Sequence, residues 1–309
     1  MEKYFAILIF LIFILSARSQ KFVATQTTES LKKILIYKKD TQRVNILNQL
    51  SRPYLYSKHR QNNRAPALYY ADEALTLARS LHYDKGIGNA LLNKGILLMD
   101  QDYPNSLSSL QAALPFLKQT FDKYSLAVCF YNIGWCMHTF GENKKAILYY
   151  DSSLNLFEEL KDTSAGAWVL AWTGHSHFDL GNYREAYETG EKARKWTNKS
   201  DTLLQTLTLA FLADLFLGAG LPEITVQYLP RILHFYPEMM DQKEVKVDWP
   251  LSWALERIGE AFLQLNQVDS ALKIAQVLHI RFEKQDVTNH LFYGHVYAAL
   301  GQYQNALPH

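Results

Sequence analysis

Histidine and carboxylate pairs are the first candidates for chemistry in this chain of 309 residues. His175 and His177 are two residues apart, which places them about 200° apart around a helix, and no third metal ligand stands at a suitable spacing. Glu256 and Glu260 could serve as acid and base, but such a pair needs a cleft and a perturbed environment. The segment 86–88 (Gly-Ile-Gly) lacks the third glycine of a nucleotide-binding loop. We therefore expect no catalytic residue, no metal and no cofactor.

The elements that position these side chains follow from a triplet that recurs seven times: a small residue, a turn-tolerant residue seven positions later, and usually alanine five after that. The first members are Leu55, Gly95, Gly134, Gly174, Ala213, Gly259 and Gly294. The second members are Asn62, Asp102, Gly141, Gly181, Gly220, Asn266 and Gly301. The third members are Ala67, Leu107, Ala146, Ala186, Thr225, Ala271 and Ala306.

The triplets predict pairs of helices. Every second member is Gly, Asn or Asp, the types that enter the left-handed conformation most cheaply, so each is predicted to end a helix. Small residues inside the preceding helix, helix A, indicate that helix B of the same repeat crosses close to its backbone. Aspartates expected to cap helix starts are Asp84, Asp122, Asp162, Asp201 and Asp248. The pattern predicts an all-α solenoid of about seven helix-turn-helix units with a period near 40 residues, the last incomplete.

The residues of two repeats resemble the tetratricopeptide repeat (TPR), whose motif has Gly or Ala, then Gly, then Ala at these offsets. The matching residues are Gly134, Gly141, Ala146 and Tyr150, followed by Gly174, Gly181, Tyr183, Ala186 and Ala193. The resemblance covers residues 42–309 and implies a solenoid that binds protein or peptide rather than an enzyme. Departures from the motif occur in repeats one, two and five, where we expect Pro115 and Pro230 to kink helix B.

The TPR resemblance also implies a binding groove, because helix A lines the inner surface of family members. Carried over residue by residue, the groove candidates are Asn93, Tyr131, Asn132, Trp135, His138, Trp168, His175, Asp179, Asp214, Trp253, Glu256, Glu260 and His295. The alternative for the three tryptophans is simple packing between repeats. The lysine site of the family's chaperone-tail binders is occupied here by Tyr131, Ala171, Ala210 and Glu256. The acidic candidates instead favour a neutral or basic partner.

A second resemblance lies in residues 40–90. The segments 40–44 (DTQRV), 47–50 (LNQL), 71–75 (ADEAL) and 85–90 (KGIGNA) are similar to the exported TPR sensor region of bacterial two-component histidine kinases. In that family the repeats precede a transmembrane helix and an output domain, so the resemblance implies a C-terminally truncated fragment, with any kinase activity in the missing part.

Three alternatives to a sensor region stay open. The first is a free periplasmic or secreted scaffold for envelope protein assembly, which would use the same groove. The second is an enzyme built on helical repeats. The third is self-association through an uncapped C-terminal end, which would cover its apolar face.

The N-terminus resembles a secretory signal peptide. Lys3 precedes an apolar run over residues 5–15, and residues 17–19 (Ala-Arg-Ser) give the small-x-small pattern of a cleavage site. We assign residues 1–19 to the signal peptide and 20–41 to a linker or capping helix, and expect an exported, periplasmic or secreted protein. The alternative is that the segment stays uncleaved as a membrane anchor. We expect membrane association only in that case or if a transmembrane span follows downstream, which would tether the full-length protein to the inner membrane.

Composition excludes other classes. The chain has 48% hydrophobic and 20% charged residues and a formal net charge of +2, which is ordinary for a globular protein and gives no reason to expect nucleic acid binding. Cys129 and Cys136 lie seven residues apart on one predicted helix, about 10 Å along its axis, which exceeds the reach of a disulfide. We expect two buried free thiols.

Overall fold

The computed structural model describes residues 29–52, 60–99, 101–236, 249–281 and 287–301. The predicted signal peptide, Leu55, Asp248 and Ala306 lie outside these ranges. The described residues form an all-α, TPR-like solenoid of helix-turn-helix units without strands, as predicted. A helical segment over residues 29–35 comes first. It is followed by α1 (Asp40–Ser51), α2 (Arg60–Ser80), α3 (Asp84–Leu98), α4 (Tyr103–Gln119), α5 (Lys123–Thr139), α6 (Asn143–Glu159), α7 (Thr163–Asp179), α8 (Tyr183–Trp196), α9 (Thr202–Gly218), α10 (Pro222–Thr225), α11 (Tyr228–Leu233), α12 (Trp249–Gln264), α13 (Val268–Arg281) and α14 (Val287–Ala299).

The chain divides into two compact units, Met1–Cys136 and Met137–His309, which we call the N-terminal and C-terminal lobes. In the N-terminal lobe, α1 packs on α2, α2 on α3, and α3 on α4. In the C-terminal lobe, successive helices from α6 to α9 pack on one another, and α9 packs on α12, α12 on α13, and α13 on α14. These helices therefore bury their apolar faces against neighbours along the chain, as a solenoid requires.

Helix ends at the A–B turns follow the predicted residue types in five repeats. Gly141, Gly181, Gly220 and Gly301 have φ of 76°, 76°, 75° and 71°, and Asn266 has φ of 57°. The prediction is wrong for the first two repeats. Asn62 lies inside α2, while Asp102 has φ of −148° and its carboxylate accepts a hydrogen bond from Asn105 N at the start of α4. Aspartate at this position thus caps helix B instead of ending helix A.

Aspartates cap the A helices in three repeats. The carboxylates of Asp122, Asp162 and Asp201 accept hydrogen bonds from backbone N–H groups three residues later, at distances of 3.1, 3.0 and 3.0 Å. Asp84 does not cap: it is the first residue of α3, and Tyr83 occupies the N-cap position without a side-chain hydrogen bond. These contacts satisfy helix-start amides that would otherwise lack a partner.

The small residues of the A helices make room for close neighbours, which include the predicted helix B of the same repeat and also the next A helix. At Gly95 an added Cβ would lie 2.6 Å from Leu110 on helix B of the same repeat, as predicted. At Gly174 it would lie 2.7 Å from the ring of Phe211, and at Gly259 it would strike the ring of Phe292. Both rings come from the next A helix, so these glycines also serve the stacking between repeats. At Gly174 the predicted helix B neighbour is present too, because the added Cβ would lie 3.4 Å from Ala186 O.

Proline has different effects in two B helices. Helix α4 continues past Pro115, so the predicted kink does not end the helix. In repeat five, helix B is divided into α10 and α11, with Val226 and Gln227 between them. Pro230 lacks an N–H and its ring clashes with the carbonyl four residues earlier, which is that of Val226. The interruption of helix B at Val226 and Gln227 therefore coincides with the position of this clash.

The two cysteines are buried and free, as predicted. The Cys129 thiol donates to Leu110 O at 3.3 Å, and burial raises its pKa to about 12. Burial also raises the pKa of Cys136, and a hydrogen bond with Ser106 opposes that shift. Within the described ranges, no helix combines the length and apolar character needed to cross a membrane.

Candidate functional site

In the C-terminal lobe, the A helices α7, α9, α12 and α14 carry most of the predicted groove residues. We call the surface formed by Asp179, Asp214, Trp253, Glu256, Glu260 and His295 the A-helix face. Trp253, Glu256 and Glu260 share one side of α12 because residues three and four apart are neighbours on a helix. The same spacing aligns His175 with Asp179 on α7. Equivalent positions of stacked helices thus bring residues that are distant in sequence to one surface.

The centre of the A-helix face is acidic. Arg257 Nη1 lies 3.9 Å from Asp214 Oδ1, and Arg257 Nη2 donates to Glu256 Oε1 at 2.9 Å. Burial raises the pKa of Asp214 to about 6; Arg257 opposes the shift, and the charges of Glu256 and Asp179 add to it. Arg257 is one cation among three carboxylates, so the local potential stays negative when these are ionised.

A polar cluster borders the acidic centre. His138 Nδ1 lies 2.8 Å from Asn143 Oδ1 and 3.6 Å from Asp179 Oδ2, and Ser176 Oγ lies 3.3 Å from the same nitrogen. Asn143 Nδ2 donates to Asp179 Oδ2 at 3.4 Å. The side chain of Asp179 is still 41% exposed, so it can accept hydrogen bonds from a ligand while these neighbours hold its position.

An aromatic cluster lies beneath the polar one. His175 is surrounded by the rings of Phe211, Trp172 and Trp253, with centroid distances of 4.4, 5.0 and 5.0 Å. Burial, with a smaller contribution from His138, lowers the pKa of His175 to about 3, so the ring is neutral at pH 7. Its Nε2 has no hydrogen-bond partner among the described residues.

Two of the predicted tryptophans also have packing roles. Trp168 and Trp253 are half-buried and pack against the core cluster of Ala167, Ala171, Leu204 and Leu207. At the far side of the A-helix face, His295 Nδ1 lies 2.8 Å from Glu260 Oε1, and the His295 side chain is 50% exposed. Trp168 and Trp253 therefore combine packing against the core with partial exposure to solvent.

The candidates before residue 137 lie in the N-terminal lobe and are used differently. Asn93 is buried, and its amide donates to Asn48 O at 3.0 Å and Ser51 Oγ at 2.7 Å. Asn132 is buried and donates to Val128 O at 2.7 Å. Tyr131 and Trp135 are half-buried with ring centroids 6.4 Å apart. The Asn93 amide therefore joins α3 to the end of α1, the Asn132 amide bonds within α5, and the two rings are the accessible part of this set.

Sequence reasoning missed three residues of the C-terminal lobe. Trp172 contacts His138 and His175, Asn143 connects His138 to Asp179, and Arg257 joins Asp214 to Glu256. Only Trp172 carries a usable signal, since it follows Trp168 by one helical turn. Among the described residues, no three His, Cys, Asp or Glu side chains are grouped so that they could hold a metal ion.

Comparisons agree with this fold. Residues 86–159 match the sequence profile of the tetratricopeptide repeat. A curated relative, response regulator aspartate phosphatase J of Bacillus subtilis (strain 168), is 24% identical over 156 residues, which are 50% of this chain and 42% of the relative. The chain thus spans less than half the length of that protein.

Two solved structures give the same result. A TPR protein from Parabacteroides merdae matches with a TM-score of 0.56 and 16% identity, covering 84% of this chain and 89% of the other. A Rap protein complexed with competence and sporulation factor matches with a TM-score of 0.58 and 20% identity, covering 84% and 70%. The architecture and these matches define a protein of the TPR fold.

Proposed function

We propose that this chain is a protein- or peptide-binding module that holds its ligand on the A-helix face of the C-terminal lobe. The observation that carries the proposal is the combination, on consecutive A helices, of three clustered carboxylates with half-exposed aromatic rings. Aromatic rings supply apolar contact area, and polar groups fix the register of an extended ligand. The TPR fold and the complexed Rap protein support a binding role.

The charge of the A-helix face favours a neutral or basic partner. Lysine at position 260 would replace a carboxylate, and lysine at the exposed Glu185 on α8 makes the same charge change on a B helix. With a fluorescent peptide of alternating arginine and alanine as the probe, we expect Glu260→Lys to weaken binding about tenfold in fluorescence polarisation, while Glu185→Lys leaves it within about twofold. Glu256→Lys should act in the same direction as Glu260→Lys. Equal effects of the A-helix and B-helix variants, or equal binding of a glutamate–alanine peptide, would contradict the proposal.

For the cellular role, we propose the extracytoplasmic sensory or interaction region of a bacterial signal-transduction protein. The similarity of residues 40–90 to exported sensor regions, the apolar run near the N-terminus and a relative named as a response regulator phosphatase support this role. The alternative is a free periplasmic or secreted scaffold. Fractionation of bacteria that express the chain should recover it outside the cytoplasm, with residues 1–19 removed in N-terminal sequencing. Retention in the cytoplasm would exclude both roles, and a reading frame that continues past residue 309 into a membrane span would favour the sensor.

A further inference from the structure

A cavity of about 430 Å³ opens on the C-terminal lobe, away from the A-helix face. Its lining comes from Arg194 on α8, Gln205 and Leu209 on α9, and Arg231, His234 and Phe235 on and after α11. Gln205 and Asp214 are nine residues apart on α9, so their side chains point in directions about 180° apart around the helix axis. The cavity therefore lies on the opposite side of α9 from the acidic residues.

The cavity lies beside the break in helix B of repeat five. Helices α4 and α6, the B helices of repeats two and three, are continuous over 17 residues each. In repeat five the corresponding segment is split into α10 and α11, and Pro230, beside the break, also lines the cavity. The site thus lies where the repeat pattern fails.

Two arginines give the cavity its charge. Arg194 donates to both carboxylate oxygens of Glu191, through Nε at 2.9 Å and Nη2 at 2.8 Å, which holds the guanidinium in place. The hydrogen bond from Arg194 lowers the pKa of Glu191, and the charge of Arg231 contributes to the same shift. Arg231 lies over the ring of Tyr228 at 5.1 Å and forms no ion pair within the part of the chain that the structure describes. Two guanidinium groups therefore face one carboxylate.

The rest of the lining combines apolar surface with a histidine. Leu209, Pro230 and Phe235 supply the apolar part, and the exposed His234 lies against Phe235 with ring centroids 5.6 Å apart. Cavities of several hundred cubic ångströms with a few convergent polar groups are typical of small-ligand sites. Guanidinium groups match carboxylate and phosphate geometry through paired N–H donors.

We propose that this cavity binds an organic anion, a carboxylate or phosphate group joined to an apolar body. Arg231 supplies the uncompensated charge, Arg194 a second guanidinium, and Leu209 and Phe235 the surface for the apolar body. The anion can come from a phosphorylated compound or from a carboxylic acid such as a peptide C-terminus.

Calorimetric titration of the full chain tests this site with phenyl phosphate and with N-acetylphenylalanine, and N-acetylphenylalaninamide is the uncharged control. We expect at least one anion to bind and the amide not to bind. Arg231→Gln should weaken binding about tenfold, because it removes a charged hydrogen-bond donor from an exposed position. Lys192→Gln, the same charge change at an exposed position of α8 outside the lining, should leave affinity within about twofold.

The relative affinities of the two anions identify the source, since phenyl phosphate represents phosphorylated compounds and N-acetylphenylalanine a peptide carboxylate. Thermal melting of each variant checks that the fold is retained, and Arg231→Lys provides a folded alternative that keeps the charge and should recover part of the affinity. Absence of binding by both anions, equal binding of the amide, or equal loss in the Arg231→Gln and Lys192→Gln variants would overturn the proposal.

Discussion

At the scale of single residues, two glycines of the C-terminal lobe set how closely successive A helices approach. Gly174 faces the ring of Phe211, and Gly259 faces the ring of Phe292. Both rings are fully buried. A methyl group at either glycine would occupy space that the aromatic ring already fills, so the residue type is required by packing and not by the backbone conformation.

The sign of the change in unfolding free energy caused by Gly174→Ala distinguishes a packing effect from a helix-propensity effect. Alanine is favoured over glycine in a helix by about 1 kcal/mol, yet its Cβ would lie 2.7 Å from the Phe211 ring. We expect a net loss of about 1–3 kcal/mol in the free energy of unfolding, measured by urea titration. Adding Phe211→Leu should make the Gly174→Ala change less costly than it is alone. A stabilised Gly174→Ala variant would show that the ring can move aside.

Asp214 predicts a pH dependence of stability. Its pKa is about 6 in the folded chain and 3.8 in its ordinary state, because burial outweighs the attraction of Arg257. The folded state therefore binds more protons between these values, and this group lowers stability as pH rises from 4 to 6. We expect Asp214→Asn to gain up to about 3 kcal/mol relative to the parent between pH 4 and pH 7 in urea titrations.

The pH effect of Asp214 is opposed by another buried group. The lowered pKa of His175 makes the folded state bind fewer protons than the unfolded state below pH 6.5, so its contribution to stability is lost as pH falls towards 3. His175 is present in both the parent and Asp214→Asn, so its contribution cancels in the difference. Parallel pH profiles of the two proteins would contradict the assignment to Asp214.

At the scale of helices and turns, residues with a left-handed backbone conformation occur at most of the described turns between helices. The A–B turns of repeats three to seven use Gly141, Gly181, Gly220, Asn266 and Gly301. The B–A turns place His82, Phe121 and Lys161 at φ of 50°, 54° and 58°. Since the Cβ atom makes this conformation costly, the B–A turns carry backbone strain that the A–B glycines avoid.

Gly181 offers a test of the turn at the level of the backbone alone. Its φ is 76°, and no atom lies within 4 Å of an added Cβ, so steric contact with neighbours does not contribute. We expect Gly181→Ala to lower the free energy of unfolding by about 1–2 kcal/mol and Gly181→Asn to lower it less, because asparagine tolerates this conformation. Equal losses for the two variants in urea titration would refute the backbone explanation.

Local chemistry decided which elements could be predicted from the sequence. Gly181 and Asp162 act on amides and dihedral angles within a few residues, so their roles follow from type and position. Asp102 fits two such roles, and only the fold selects capping. The contact of Arg257 with Asp214 and the cavity beside Pro230 depend on distances between separate helices. Those distances cannot be inferred from residue types and spacing in one sequence. The helical architecture was therefore predictable, whereas the composition of the A-helix face was only partly so.

At the scale of the whole molecule, contacts run between helices that are near one another along the chain. The C-terminal lobe is held together by interfaces from α6 to α14, each involving adjacent helices or successive A helices. Stability in such an array is approximately a sum of intrinsic and nearest-neighbour terms. Loss of one interface should therefore destabilise mainly the helices next to it.

Phe292→Ala tests this locality. Phe292 is fully buried and contacts Gly259 on the preceding A helix, so its loss should cost about 3–5 kcal/mol at that interface. We expect faster hydrogen exchange in α12–α14 and unchanged exchange in α3 and α4, measured by mass spectrometry. His295→Ala, on an exposed position of the same helix, is the control and should change neither region. Uniform acceleration across the chain would mean that the molecule unfolds as one cooperative body.

The reaction of the two buried thiols of the N-terminal lobe with a labelling reagent would report how often the native state opens locally. An Ellman-type reagent attacks thiolate, and Cys129 and Cys136 are shielded from both solvent and ionisation. The labelling rate of the unmodified protein would therefore depend on opening events that expose α5. Measuring this rate at increasing reagent concentration would separate the rate of opening from the population of the open state. No label has to be engineered for this measurement.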